Sequence, residues 1–300
     1  MTQQQTISLE LSAVIVSLAD GTPHVAVTGD LALPSGPLEV QHKKLEQALR
    51  VWVTKHSGLQ LGYVEQLYTF ADRDRETDGR RIISIGYLAL AQDLGDVPAV
   101  DWYKFFPWED HRADGADKLT AHIQKNLNAW KNDAPDAATK RVRAARIDVN
   151  FPKNPRDWNE ELVLQRYELL WEAGLIDEAA RAGKKGAKPI AAGLPMKHDH
   201  RRILATAIAR LRAKIKYRPV VFELLPPQFT LLQLQNTVEA LAGLRLHKQN
   251  FRRLVLSQGL VEETKAQTTL NKGRPAKLFS FRRELLQARA VAGTKLPRGG

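Results

Sequence analysis

The stretch FTLLQLQNTVEALAGLRLHKQNFRRLVLSQGLVEETKAQTTLNKGRPAKLFSF, from Phe229 to Phe281, admits few folds. Thr230 precedes an amphipathic run that Gly243 stops, which predicts a helix over Leu231–Ala242 with a threonine N-cap and a glycine after its last turn. A turn of three residues follows, then a second helix from about His247 to Gln258, stopped by Gly259. Two helices joined by a short glycine-containing turn make a helix-turn-helix. A strand over Leu260–Thr264, a polar tip ending in Asn271-Lys272-Gly273 and a return strand through Lys277 to Phe281 read as a wing.

On the second helix, spacing turns Phe251, Leu254 and Val255 inward and puts Gln249, Arg252 and Arg253 together on the other side. A recognition helix needs this division, because Arg forks onto guanine O6/N7 and Gln or Asn onto adenine N6/N7. His247, Lys248 and Asn250 fall in the first turn, where base-edge contacts concentrate in helix-turn-helix proteins. Lys272, Arg274 and Lys277 on the wing are placed to reach phosphates or a minor groove. These are the candidate DNA-binding residues. Winged helices also serve as protein-contact modules, and the residue pattern alone leaves that alternative open.

Charge points the same way. From Arg218 to Gly300 there are 14 Lys and Arg against 5 Asp and Glu, in a chain whose whole net charge is +12. Most of the excess therefore lies in the C-terminal part, as in a nucleic-acid-binding module on a carrier domain. Arg201, Arg202, Arg210, Arg212, Lys214 and Lys216 crowd a predicted helix just before it and read as extending the basic region. A solvated basic surface is the plain alternative. The absence of cysteine excludes disulfides and thiolate metal sites. The N-terminus MTQQQTISLELSAVIVSL has no basic n-region, and no apolar run reaches the ~18 residues of a membrane span, so a cytoplasmic protein without a membrane partner is expected.

The first ninety residues alternate like strands in ISLELSAVIVSL, HVAVT, LGYVEQLYTF and RIISIGYLAL. A turn is expected at Ala19–Thr22 and a second at Pro34-Ser35-Gly36; the latter leads to a helix from about Lys43 to His56, ended by Gly58. One helix among such strands makes a mixed α/β layer. From about Glu109 to Gly193 the pattern breaks into a segment that looks inserted. It holds a helical piece over Leu119–Trp130, the basic strip KRVRAAR and an apolar stripe of Val163, Tyr167, Leu170 and Trp171. HDHRRILATAIARLRAKIKYRP then predicts a helix capped near Asp199, with Ile203, Leu204, Ala207, Ile208 and Leu211 on one side. His198 and His200 have no third ligand placed by the sequence and read as polar helix-start residues, so no metal site is expected there.

The run SGPLEVQHKKLEQALRVWVTKHSGL, Ser35 to Leu59, resembles in outline the Nudix box, in which glutamates on one helix face hold Mg²⁺ against a pyrophosphate. Anchored on Gly36 and Arg50, the acidic positions hold His42, Val51, Thr54 and Lys55; anchored on Gly58, they hold Lys43, Trp52, Lys55 and His56. Neither register leaves a metal site, and only Glu46 stands nearby. FTLLQLQ, KQNFRR, GLVEET and GRPAKLF, with LYTFADRDR and DHRRIL upstream in the same order, resemble the NrtR-type Nudix-related transcriptional regulators. The inserted segment looks more like the NadQ-type branch of that family.

The resemblance implies a Nudix-like α/β/α sandwich over residues 1–217, with a helical insertion at about 109–193, and a winged helix-turn-helix domain over 218–300. It further implies a homodimeric repressor of NAD biosynthesis and metabolism genes that binds double-stranded operator DNA. On the same resemblance no cofactor requirement is expected, and an NAD-related nucleotide, ADP-ribose or NAD, is expected to bind the catalytically degenerate Nudix domain and release the DNA. Arg50 from the box and Arg73, Arg75 and Arg81 from the charged loop are the candidates to meet its diphosphate by charge-assisted bonds. The competing expectation is a Nudix-type ADP-ribose or nucleoside-diphosphate pyrophosphohydrolase with an accessory basic domain.

Overall fold

A computed structural model describes residues 7–39, 42–71, 76–77, 80–190, 192–268 and 276–282. Strands β1 (Ile7–Ala19) and β2 (Thr22–Ala26) form a hairpin whose two turn residues, Asp20 and Gly21, both have positive φ, 49° and 73°. That is the primed turn that suits strands of right-handed twist. β3 (Ser35–Pro37), α1 (Leu45–Ser57), β4 (Val64–Phe70), β5 (Glu76–Thr77), β6 (Arg80–Leu90) and β7 (Ala99–Asp101) follow. The strand order is β4-β6-β1-β2-β7, with β3 on β1 and β5 on β6; β1 and β6 run parallel and the other pairs antiparallel.

Both faces of this sheet are covered, so its central strands are apolar on both sides. Leu11, Ala13 and Ile15 of β1 and Tyr87 and Ala89 of β6 pack against Ala48, Leu49 and Val53 of α1. The alternate residues Val14, Val16, Leu88 and Leu90 join a second, larger core on the opposite face. That face receives α6 (His200–Tyr217) through Ile203, Leu204, Ala207, Ile208 and Leu211. Between β7 and α6 run two single-turn 3-10 helices, then α2 (Ala116–Asn132), α3 (Ala137–Asn150), a third 3-10 turn at Pro155–Asp157, α4 (Val163–Glu172) and α5 (Asp177–Arg181). The result is the expected α/β/α sandwich with helical segments added to one side.

The sequence reading needs three corrections here. Pro34-Ser35-Gly36 is not simply a turn, since Ser35–Pro37 pairs with β1. Gly36 lies under the indole of Trp52, with which a Cβ would collide, so the glycine marks a close approach of α1 to the sheet. The short strands β3, β5 and β7 were not predicted because two or three residues carry no alternation to read. In the stripe on α4, Val163, Tyr167 and Leu170 are buried but Trp171 is 37% exposed, under the ammonium of Lys184 at 5.2 Å.

The C-terminal part comprises β8 (Gln228–Phe229), α7 (Leu231–Ala242), α8 (Lys248–Ser257), β9 (Val261–Thr268) and β10 (Ala276–Phe281). Its sheet has the order β8-β10-β9, and the stacking of Phe222 on Phe281 at 4.1 Å fastens the segment before β8 to it.

Candidate nucleic-acid interface

The helix-turn-helix forms as its sequence dictates. Thr230 accepts from the Gln233 backbone N–H while the Gln233 side chain accepts from the Thr230 N–H, a complete capping box at the start of α7. Gly243 ends α7 at φ 72°. The turn to α8 is held by a carboxylate that the sequence reading missed: Glu239 accepts from the Leu246 N–H at 2.9 Å and from the Gln235 amide at 2.8 Å. Its i, i+4 spacing to Gln235 was legible; its reach to the backbone of the turn was not.

α8 has the anticipated two faces. Phe251 and Val255 are buried and Leu254 half-buried, whereas His247, Lys248, Gln249, Asn250, Arg252 and Arg253 are all exposed. His247 caps the helix from outside rather than forming part of it. Lys248, Gln249 and Asn250 make up the first turn, where the unpaired N–H groups and the helix dipole favour an anion such as phosphate. On the wing, Lys277 pairs with Glu263 across the β9–β10 ladder at 2.8 Å, so its charge is partly neutralised within the hairpin. Lys272 and Arg274 lie outside the described residues, as do Arg73 and Arg75.

The basic residues of α6 do not extend this surface. Arg202 pairs with Glu168, Arg210 and Lys214 with Glu65, and Lys216 with Glu160 and Glu161. Arg201 is buried, pairing with Glu178, donating to the carbonyls of Phe105 and Ala192, and lying over the rings of Phe106 and Trp108. Arg212 is buried too, 2.6 Å from Glu109, which Arg166 of α4 also grips with two bonds of 2.6 and 2.9 Å. Burial alone would raise the carboxyl pKa of Glu109, but Arg166 and Arg212 prevail and hold it below the usual range. Six acidic partners that the sequence scatters over 114 positions, from Glu65 to Glu178, converge on one helix.

The Glu109 cluster also joins the two halves of the chain. Arg212 donates to the Leu241 carbonyl at 2.8 Å, the Tyr103 hydroxyl donates to the Ala240 carbonyl at 2.6 Å, and the His111 N–H donates to the Gly243 carbonyl at 2.8 Å. These satisfy the last carbonyls of α7, which a helix end leaves unpaired. Gly243 serves twice, since a Cβ there would strike the Glu109 carbonyl as well as demand a left-handed backbone.

In the box region, α1 starts later than expected, at Leu45, and ends at Gly58 in the left-handed conformation as read. Trp52 stacks on His56 at 4.8 Å over Gly36. Arg50 donates to Glu46 and to the carbonyls of Leu61 and Gly62, so it braces the loop after α1. Gly62 bonds the Leu90 carbonyl, placing Arg50 at the end of β6. Arg81 lies near the other end of that strand, roughly 30 Å away at ~3.3 Å per residue, and donates to the Ala71 carbonyl. The structure therefore does not bring Arg50 and Arg81 together. His200 Nδ1 accepts from the Leu33 N–H at 2.9 Å, tying α6 to the sheet. Asp199 occupies the N-cap position of α6 without a side-chain capping bond. Among the described residues there is no His/Cys/Asp/Glu cluster fit for a metal and no helix long and apolar enough to cross a membrane.

Comparison with known proteins bears on both parts. Residues 221–292 match the model of the family described as NrtR DNA-binding winged helix domain. The chain is 42% identical over 88 residues to the ADPR responsive transcriptional repressor NtrR of Acinetobacter baylyi, and that match spans 29% of the chain and about a third (35%) of the relative's length. In fold it is similar to Shewanella oneidensis NrtR, crystallised with a 27mer DNA, at TM-score 0.52 and 19% identity over 93% of this chain and 95% of that one. A MutT/nudix family protein from Enterococcus faecalis matches with TM-score 0.50 and 15% identity, covering 93% of this chain and 90% of its own.

Proposed function

We propose, starting from a chain that joins a Nudix-like α/β domain to an NrtR-type DNA-binding winged helix domain, that it is a DNA-binding transcriptional repressor controlled by an NAD-related nucleotide. The observation that carries this reading is α8, a helix buried along Phe251 and Val255 that presents Lys248, Gln249, Asn250, Arg252 and Arg253 to solvent within a segment matched by a DNA-binding family. The Acinetobacter relative, named for its response to ADPR, supports ADP-ribose as the effector, with NAD as the second candidate.

In this reading residues 1–217 sense the nucleotide, 109–193 are an insertion of the NadQ type, and 218–300 bind operator DNA as a homodimer in the cytoplasm, controlling genes of NAD metabolism. His247 joins the α8 residues at the DNA, and Lys272, Arg274 and Lys277 would contact the backbone from the wing. Arg73, Arg75 and Arg81 are the diphosphate candidates that remain; Arg50, engaged by the loop after α1, is withdrawn from that set. The box lacks the metal carboxylates in either register, and Trp52 and His56 stand at two of those positions, which supports sensing without hydrolysis.

The test is anisotropy of promoter DNA from the chain's own genomic neighbourhood, titrated with protein and then with ADP-ribose or NAD. Nucleotide should weaken DNA binding about 5–150-fold, and DNA should weaken nucleotide binding by the same factor. Mg²⁺-dependent cleavage of ADP-ribose should stay at the buffer blank. Unchanged DNA affinity with both nucleotides, or robust metal-dependent turnover, would sink the reading.

A further inference from the structure

Helix α3 has two apolar sides, and the fold uses one of them. Ile147 goes into the core, Arg143 donates to the Trp130 carbonyl of α2 at 2.6 Å and lies 4.1 Å over the Trp130 ring, and Arg146 pairs with Glu172 of α4. On the other side Ala138, Val142, Ala145 and Val149 all stand exposed, the two valines at 58% and 60%.

A single exposed valine needs no explanation. Four apolar residues at i, i+4, i+7 and i+11 are different, because those steps are the a/d spacing by which one helix packs along another. Their exposure means that no described residue of the chain covers the stripe. Arg141 and Asp148 flank it on one edge, both exposed and neither paired among the described residues.

Size and charge together select what would cover it. When a second α3 is laid against the first end for end, about a two-fold axis level with residues 143 and 144, Val142 meets the other copy's Ala145 and Val149 its Ala138. Every valine then faces an alanine, as interdigitating layers require. Arg141 comes within ~3 Å, measured along the axis at ~1.5 Å per residue, of the other copy's Asp148, and the symmetry makes that pair twice. A parallel pairing would instead turn Arg141 toward the other copy's Arg146, a like charge.

We propose that α3 packs antiparallel against α3 of a second copy of this chain, the Val142–Ala145 and Val149–Ala138 layers flanked by two Arg141–Asp148 bridges. This gives a surface to the homodimer of the functional reading and rests on that reading for its stoichiometry. A standard interface engages about 20–30 residues a side, so α3 is one part of the dimer contact.

The test uses the full chain, which has no cysteine of its own. Ala145→Cys, close to the proposed axis, should cross-link to its own copy with bismaleimidoethane, and Lys55→Cys, exposed on α1, should not. Sedimentation equilibrium should show a dimer that Arg141→Glu or Asp148→Arg weakens at least about fivefold, by setting like charges opposite one another, and that the double variant restores to within about threefold. Neither residue has an internal partner to lose, so melting temperatures should not change; should either variant melt early, the Ala145 cross-link decides. A dimer that does not cross-link at Ala145, that ignores both charge reversals, or that the double variant does not restore would overturn the proposal and leave the homodimer reading standing. A chain monomeric at every concentration would overturn both.

Discussion

α6 and α8 look alike in a list of charges and differ in what the fold does with them. All six basic residues of α6 are matched by carboxylates of the same chain, two of them in complete burial. On α8, Lys248, Arg252 and Arg253 stand exposed with no ion pair among the described residues. A local excess of Lys and Arg therefore measures DNA-binding capacity only after its internal partners are subtracted. On α6 the charge is structural, because an arginine can be buried only with its charge paired and its donors satisfied. On α8 it is available to a phosphate or a guanine.

Four outcomes would sharpen or break this contrast. The largest concerns salt. If α8 and the wings of two protomers together neutralise about 6–10 phosphates, promoter affinity should fall roughly 10³–10⁵-fold between 50 and 200 mM salt. A shallow slope would mean that the exposed cations do not meet phosphates.

Next is Glu109→Gln, which strips the charge from a carboxylate lying between two buried arginines. Breaking a buried pair from one side should cost about 3–5 kcal/mol, read by denaturant unfolding. Because Glu109 has its carboxyl pKa depressed by Arg166 and Arg212, its contribution is present above the unfolded value of ~4.3 and is lost as pH falls through the folded one. The wild-type chain should therefore lose stability toward acid more steeply than the variant.

Smaller again, Arg252→Ala and Arg253→Ala should each cost about 1–3 kcal/mol of discrimination between promoter and scrambled DNA, measured by competition binding. The smallest effect is expected at Arg202, half-exposed beside Glu168: Arg202→Ala should change stability by no more than about 1 kcal/mol and leave DNA affinity unaltered.

How much of this the sequence disclosed follows the range of the interactions. The two helices of the helix-turn-helix were legible to within a residue, since Thr230, Gly243 and Gly259 punctuate them locally and the inward spacing of Phe251 and Val255 needs no distant partner; β9 runs on to Thr268 rather than ending at Thr264, and the two-residue β8 carries no pattern to read. The long strands and α6 were legible by period. The Glu109 cluster was not: its acid, its two arginines and the α7 carbonyls come from four separate segments, and no local pattern predicts their meeting. The same holds for Trp158 and His111, 47 positions apart and brought to 4.1 Å only by the packing of the 155–161 segment. The separation of Arg50 from Arg81 was equally hidden, since the two are near in motif order but stand at opposite ends of β6.

In the proposed repressor α8, not α6, contacts DNA. The direct measurement is anisotropy of labelled promoter DNA with two matched double variants, Arg252→Ala with Arg253→Ala, and Arg210→Ala with Lys214→Ala. Each removes the same formal charge. The account predicts that the α8 pair loses at least about tenfold in affinity and its preference over scrambled DNA, while the α6 pair stays within about twofold of wild type. Equal losses from the two pairs, or a larger loss from the α6 pair, would contradict it.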